Sequence, residues 1–192
     1  MNEKKYENPA AIRSKRALAL AFAELLEKKS LPAITISEIT EKAGVSRQTF
    51  YTNFSQKEDI LTYSLDRLFS MYADQLPEGL FQTPLEALAD YFTYWHDHSQ
   101  FLTLLFRNSL GYLFLMANNA CFENEFQTLA ASLSECAEDV PFILSGLSGI
   151  TFSILRTWIL NGASLPAEAL LSTAQKLLTG YFFKTGGSDN AV

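Results

Sequence analysis

The 192-residue chain is 48% apolar and 19% charged, with six prolines and nine glycines. This composition excludes a disordered or linker-rich chain and suffices for one sizeable core. The net charge of −6 is unevenly spread: residues 1–61 carry ten Lys or Arg against eight Asp or Glu, a net +2, and residues 62–192 five against thirteen, a net −8. The acidic total therefore does not exclude a nucleic-acid partner for the first third.

Taken in chain order, helix signals follow one another. Asn8-Pro9 supplies a cap and a first-turn proline for a helix to about Lys29, with Ile12, Ala19, Phe22, Ala23, Leu25 and Leu26 at helical spacing. Thr35-Ile36-Ser37-Glu38 is a capping box for a short second helix, and Gly44 suits the left-handed position that ends it. Ser46 caps a third helix, with Val45 and Phe50 spaced as a hydrophobic staple. Ser55-Gln56-Lys57-Glu58 predicts a further capping box opening a long fourth helix to about Ala73, and Thr83-Pro84-Leu85-Glu86 opens a fifth. Pro141 and Pro166 stand near the starts of two late helices. No stretch keeps the period-two alternation of a strand, so the expected fold is all-α.

A short helix, a glycine turn and a second short helix make a helix-turn-helix. On the third helix Phe50 and Phe54 share a face and point inward, leaving Gln48, Thr49 and Thr52 outward and Arg47, Tyr51 and Asn53 on the flanks. That outward set has no carboxylate. Arg suits guanine, Gln and Asn suit adenine, and hydroxyls and amides suit base edges or phosphates.

The stretch ITISEITEKAGVSRQTFYTNFSQKEDIL, residues 34–61, resembles the DNA-binding signature of the TetR/AcrR family of bacterial transcriptional regulators. The likeness lies in Thr35, the AGVS turn at 43–46, Thr49, Phe50-Tyr51, Phe54, Lys57-Glu58 and Leu61. It implies a helix-turn-helix domain over residues 1–61 and a helical effector-binding and dimerisation domain over 62–192. It also implies that Thr35, Ser37, Arg47, Gln48, Thr49, Tyr51, Thr52, Asn53 and Lys57 form the operator face, with Tyr51 and Lys57 mainly on phosphates. Asn53 departs from the histidine often found at its position.

The second domain is rich in aromatic residues, and the resemblance places an effector pocket there. Tyr91, Trp95, Phe106, Asn108, Tyr112, Phe126 and Arg156 are the candidate lining residues. His96 and His98 lie two apart and so point to different sides of a helix, which disfavours a metal site. No Gly-rich phosphate loop, nucleophile elbow or HExxH sequence occurs, so neither enzyme nor cofactor chemistry is expected.

The apolar stretches fall short of the roughly 20 residues needed to cross a bilayer. The first sixteen residues lack the apolar segment of a secretory signal. Cys121 and Cys136 lie in helical sequence. A cytoplasmic protein with reduced thiols and no membrane partner is expected. The helices near 141–162 and 165–184 are apolar over much of their circumference, and Ser145, Gly146, Ser148 and Gly149 permit close approach. They are expected to pair with a second copy, forming a homodimer suited to a palindromic operator in double-stranded DNA. RTWILNG and the following PAEALL resemble the branch of the family that includes activators of dihydroxyacetone-kinase genes. Two functions follow: a repressor released by a small-molecule effector, or an activator whose second domain docks a protein coactivator.

Overall fold

A computed structural model describes residues 8–76, 83–132, 134 and 136–179. Among the described residues every regular element is helical and none is a strand. The last five residues of the helix expected at 165–184 lie outside them, as do the first seven residues and the polar tail after Lys184. Contacts divide the chain into two compact units, Met1–Met71 and Tyr72–Val192. The division falls within the fourth helix, whereas the sequence places the boundary at 61/62, where that helix has barely begun.

In the first unit, α1 (Pro9–Leu26) starts where Asn8 Oδ1 accepts from the Ala10 amide at 2.9 Å. It ends three residues before Lys29. A 3-10 turn, Leu31–Ala33, leads to α2 (Ile36–Ala43), whose Thr35–Glu38 capping box forms in both directions. Glu38 also pairs with Lys29, and that bond, followed by those from Thr35, holds its carboxyl down at about 2. Gly44 ends α2 at φ +66°, a left-handed conformation that an L side chain rarely adopts. Ser46 Oγ accepts from the Thr49 amide at 3.0 Å and opens α3 (Arg47–Asn53).

The box expected at Ser55–Glu58 does not form. Asp59 instead accepts from the Ser55 and Gln56 amides at 2.8 and 3.0 Å, and α4 (Glu58–Gln75) begins at Glu58. The carboxylate one residue later takes both amides on its Oδ2. Leu18, Phe22, Ile34, Ile39, Phe50, Phe54 and Ile60 are buried in the first unit. Truncating a buried phenylalanine typically costs about 3–5 kcal/mol, so the α1–α3 tripod is set by these rings.

In the second unit, α5 (Pro84–Asp97) opens on a complete Thr83–Glu86 capping box. There follow α6 (Ser99–Arg107), α7 (Gly111–Glu125), α8 (Gln127–Ser132), α9 (Val140–Leu160) and α10 (Ala167–Leu178). A Cβ on Gly111 would lie 2.8 Å from the Phe106 ring, so the start of α7 requires glycine for that close approach. Helix α9 packs against α6, α7, α8 and α10, and α10 also packs against α5. Together with the turn before it, α9 spans Ala137–Leu160, 24 residues that include an 18-residue window of mean hydropathy 1.4, long and apolar enough to cross a membrane. In sequence the apolar run falls short because polar and charged residues, Ser145, Ser148, Ser153 and Arg156, interrupt it. Within the unit α9 is nevertheless a packed helix, with Leu144, Leu147, Leu155, Trp158 and Ile159 buried. Both cysteines are free; Cys121 is buried, which pushes its thiol up to about 12, and Cys136 is exposed.

Candidate nucleic-acid interface

The local hydrogen bonds of α3 decide which of its side chains can reach a ligand. Phe50 and Phe54 are buried, with ring centroids 6.0 Å apart, and they anchor the inner face. Arg47, Gln48, Tyr51 and Thr52 are exposed, and Thr49 and Asn53 are half-buried. The Tyr51 ring meets Phe50 edge-on at 5.3 Å, which fixes the direction of its hydroxyl end. Three side chains bond within the helix or to its cap. Thr49 Oγ1 lies 2.9 Å from Ser46 Oγ, Thr52 Oγ1 donates to Gln48 O at 2.9 Å, and Asn53 Nδ2 donates to Thr49 O at 2.7 Å. The Asn53 amide is thus turned back along the helix. Arg47 and Gln48 remain as the long polar side chains on the outward face.

Thr35 and Ser37 are exposed, but the Thr35 hydroxyl is occupied by the capping box, where it donates to Glu38 Oε2 at 2.9 Å. Lys57, expected on phosphates, is also engaged within the chain. It is half-buried, and its ammonium donates to Leu31 O and Ile34 O at 2.7 Å each. Two of its three protons therefore tie the start of α4 to the turn before α2. Hydrogen bonds to charged groups contribute about 1.5–3 kcal/mol. Lys57→Met is accordingly expected to lower the unfolding free energy by about 2 kcal/mol in a urea titration. A variant as stable as the parent would return Lys57 to the phosphate role.

Of the seven candidate effector residues, Tyr91 and Trp95 meet in the core with ring centroids 6.3 Å apart, while others lie at the surface. Tyr91, Trp95, Phe106 and Phe126 are buried core residues, Asn108 is half-buried with its amide donating to Leu104 O at 2.8 Å, and Tyr112 and Arg156 are exposed. Among the buried rings, Trp95 meets Phe114 edge-on at 4.7 Å and Tyr91 meets Phe122 at 5.4 Å.

A polar cluster sits inside this aromatic shell. The Tyr91 hydroxyl donates to Asn118 Oδ1, and Asn118 Nδ2 donates to Ser148 O at 3.0 Å and Ser148 Oγ at 2.9 Å, with Thr151 Oγ1 at 3.3 Å. Asn118, Ser148 and Thr151 are buried, and the bonds join α5, α7 and α9. In the sequence Ser148 reads only as a small residue. The available signal was a serine and a threonine three apart, on one face of α9.

The far side of α9 is open. A groove of about 640 Å³ is bounded by Gly146, Gly149, Ile154, Leu165, Leu170 and Leu177 among others. Trp158 lines it while its Nε1 donates to Leu165 O at 2.9 Å, closing the turn between α9 and α10. Phe142, at 78% exposure, and Leu160, at 49%, extend the apolar strip along α9.

Comparison with known proteins places these features. Residues 18–63 match the profile of the bacterial regulatory proteins, tetR family. The HTH-type transcriptional regulator EthR of Mycobacterium tuberculosis is 40% identical over 68 residues, which is 35% of this chain and 31% of that protein. For a further curated relative from Bacillus subtilis, the chain spans 17% of its length. Among solved structures, the dihydroxyacetone kinase operon activator DhaS superposes with a TM-score of 0.63 at 20% identity, covering 88% of this chain and 96% of that one. Thermus thermophilus FadR, a repressor in complex with lauroyl-CoA, gives 0.58 at 16% identity, covering 93% and 100%. At these identities the structures share the fold: an N-terminal helix-turn-helix followed by a helical domain.

Proposed function

We propose, from the premise that residues 18–63 belong to the tetR family of bacterial regulatory proteins, that the protein is a homodimeric, DNA-binding transcriptional regulator. The observation that carries this reading is the outward face of α3, where exposed Arg47, Gln48, Tyr51 and Thr52 include no carboxylate and stand on a buried Phe50–Phe54 anchor. Arg47 and Gln48 have the geometry for bidentate contacts to guanine and adenine in a major groove. Tyr51, on the flank, reaches a phosphate. The groove on α9 and α10 takes the same face of a second copy. Such an isologous pairing presents two recognition helices to the two half-sites of a palindrome.

The regulator acts as a repressor, released by a small-molecule effector that binds the second unit. The activator reading, with a protein coactivator on the second unit, gains no separate support, because the DhaS likeness there is one of fold.

The test is a gel shift on a duplex selected from random sequence, with and without Gln48→Ala. That change is expected to cost about 1–3 kcal/mol on the selected site and little on unrelated DNA. Equal losses on both would remove Gln48 from base readout, and failure of the parent protein to enrich any site would remove the DNA-binding reading.

A further inference from the structure

We propose that Thr52 reads the C5-methyl group of a thymine, beside the base whose edge Gln48 bonds; this contact presupposes the DNA-binding reading above. Thr52 lies one turn after Gln48, so both stand on the same outward face of α3, and both are exposed. The Thr52 hydroxyl turns inward and donates to the Gln48 carbonyl oxygen at 2.9 Å. Its proton is therefore spent within the chain, so toward a ligand the side chain presents its methyl group and no free donor. In the major groove the base edges carry donors, acceptors and a single apolar group, the thymine C5-methyl. A methyl group fixed at that position has that one complement among the four bases.

The neighbouring short side chains do not compete for the contact. Thr49 and Asn53 are half-buried, unlike the exposed Thr52, and the Asn53 amide is turned onto the Thr49 carbonyl. Sequence readout by α3 then divides in two. Arg47 and Gln48 read by hydrogen bonds, and Thr52 reads by apolar contact. The back-bond also removes one rotor: the Thr52 side chain is held in place before DNA arrives, so the contact forms without a further loss of side-chain freedom.

The experiment uses the full chain. Bound duplexes are selected from a random library, and affinities are then measured by fluorescence anisotropy for the selected site with each thymine replaced in turn by deoxyuridine, which lacks only the C5-methyl. The expected result is one symmetry-related thymine whose replacement weakens binding three- to tenfold. Thr52→Ser keeps the hydroxyl and loses the methyl, so it should show the same loss on the thymine site and no further loss on deoxyuridine. Thr52→Val keeps a methyl at the same place, so it should bind as the parent does and stay sensitive to deoxyuridine. Insensitivity of the parent to every deoxyuridine replacement overturns the contact while leaving DNA binding intact. So does a Thr52→Val protein as weak as Thr52→Ser, since the hydroxyl would then be the reading group. A library that enriches no site overturns both the DNA-binding reading and the contact.

Discussion

Replacing Gly149 with arginine is expected to yield a folded monomer that has lost most of its operator affinity. Gly149 lines the open groove on α9, and a Cβ built there meets nothing within 4 Å. The isolated subunit therefore has room for the new side chain, and replacing glycine within a helix removes a penalty of up to about 1 kcal/mol. The cost falls on the pairing of two copies. A long cation closed between two apolar faces without a partner costs about 3–5 kcal/mol, and a two-fold interface incurs it twice. Losses of that size dissolve a dimer at micromolar concentration. Each half-site is then bound by a single recognition helix, although nothing in α1–α3 has changed. Sedimentation velocity gives the mass, circular dichroism gives the fold, and a gel shift on the selected duplex gives the affinity. A folded dimer with an unchanged dissociation constant would place the interface elsewhere on the surface.

Asn118→Leu is expected to be the most destabilising single change in the polar cluster of the second unit. Leucine fits the volume but neither accepts from the Tyr91 hydroxyl nor donates to Ser148. Leaving a buried donor unsatisfied costs about 1–3 kcal/mol, and the lost amide bonds add to it. A total near 3 kcal/mol would lower the melting temperature by roughly 6–12 °C in a chain of this size. Adding Tyr91→Phe removes the orphaned hydroxyl, so the double variant should be more stable than Asn118→Leu alone. That sign reversal distinguishes an unsatisfied polar group from a simple packing defect. If the second change lowers stability further, the Tyr91–Asn118 bond is not what the asparagine provides.

The sequence by itself determined the helices and the outward face of α3, because the signals for both are local. A cap, a glycine at the left-handed position and two phenylalanines four apart act over a single turn, so Thr35–Glu38, Gly44, Ser46 and Phe50–Phe54 could be read before any tertiary contact was known. The apolar breadth of α9 and α10 was legible for the same reason, since a stripe wider than one buried face needs no partner to be counted. Tertiary structure alone decided what the polar side chains are engaged in. Lys57 reaches carbonyls 23 and 26 residues back in the chain, and Asn118 reaches Ser148, 30 residues ahead. A charged or amide group has the same appearance in sequence whether it meets DNA, a ligand or a distant carbonyl. The choice is made when the chain folds, by which unsatisfied backbone and side-chain groups come within about 3 Å, because burying either partner unpaired costs more than the bond itself contributes. The same reason divided the seven aromatic and polar candidates of the second unit between core and surface. Their spacing showed that they lie on helices, but only the packing of α5, α7 and α9 determined that Tyr91 and Trp95 lie in the core while Tyr112 and Arg156 face solvent.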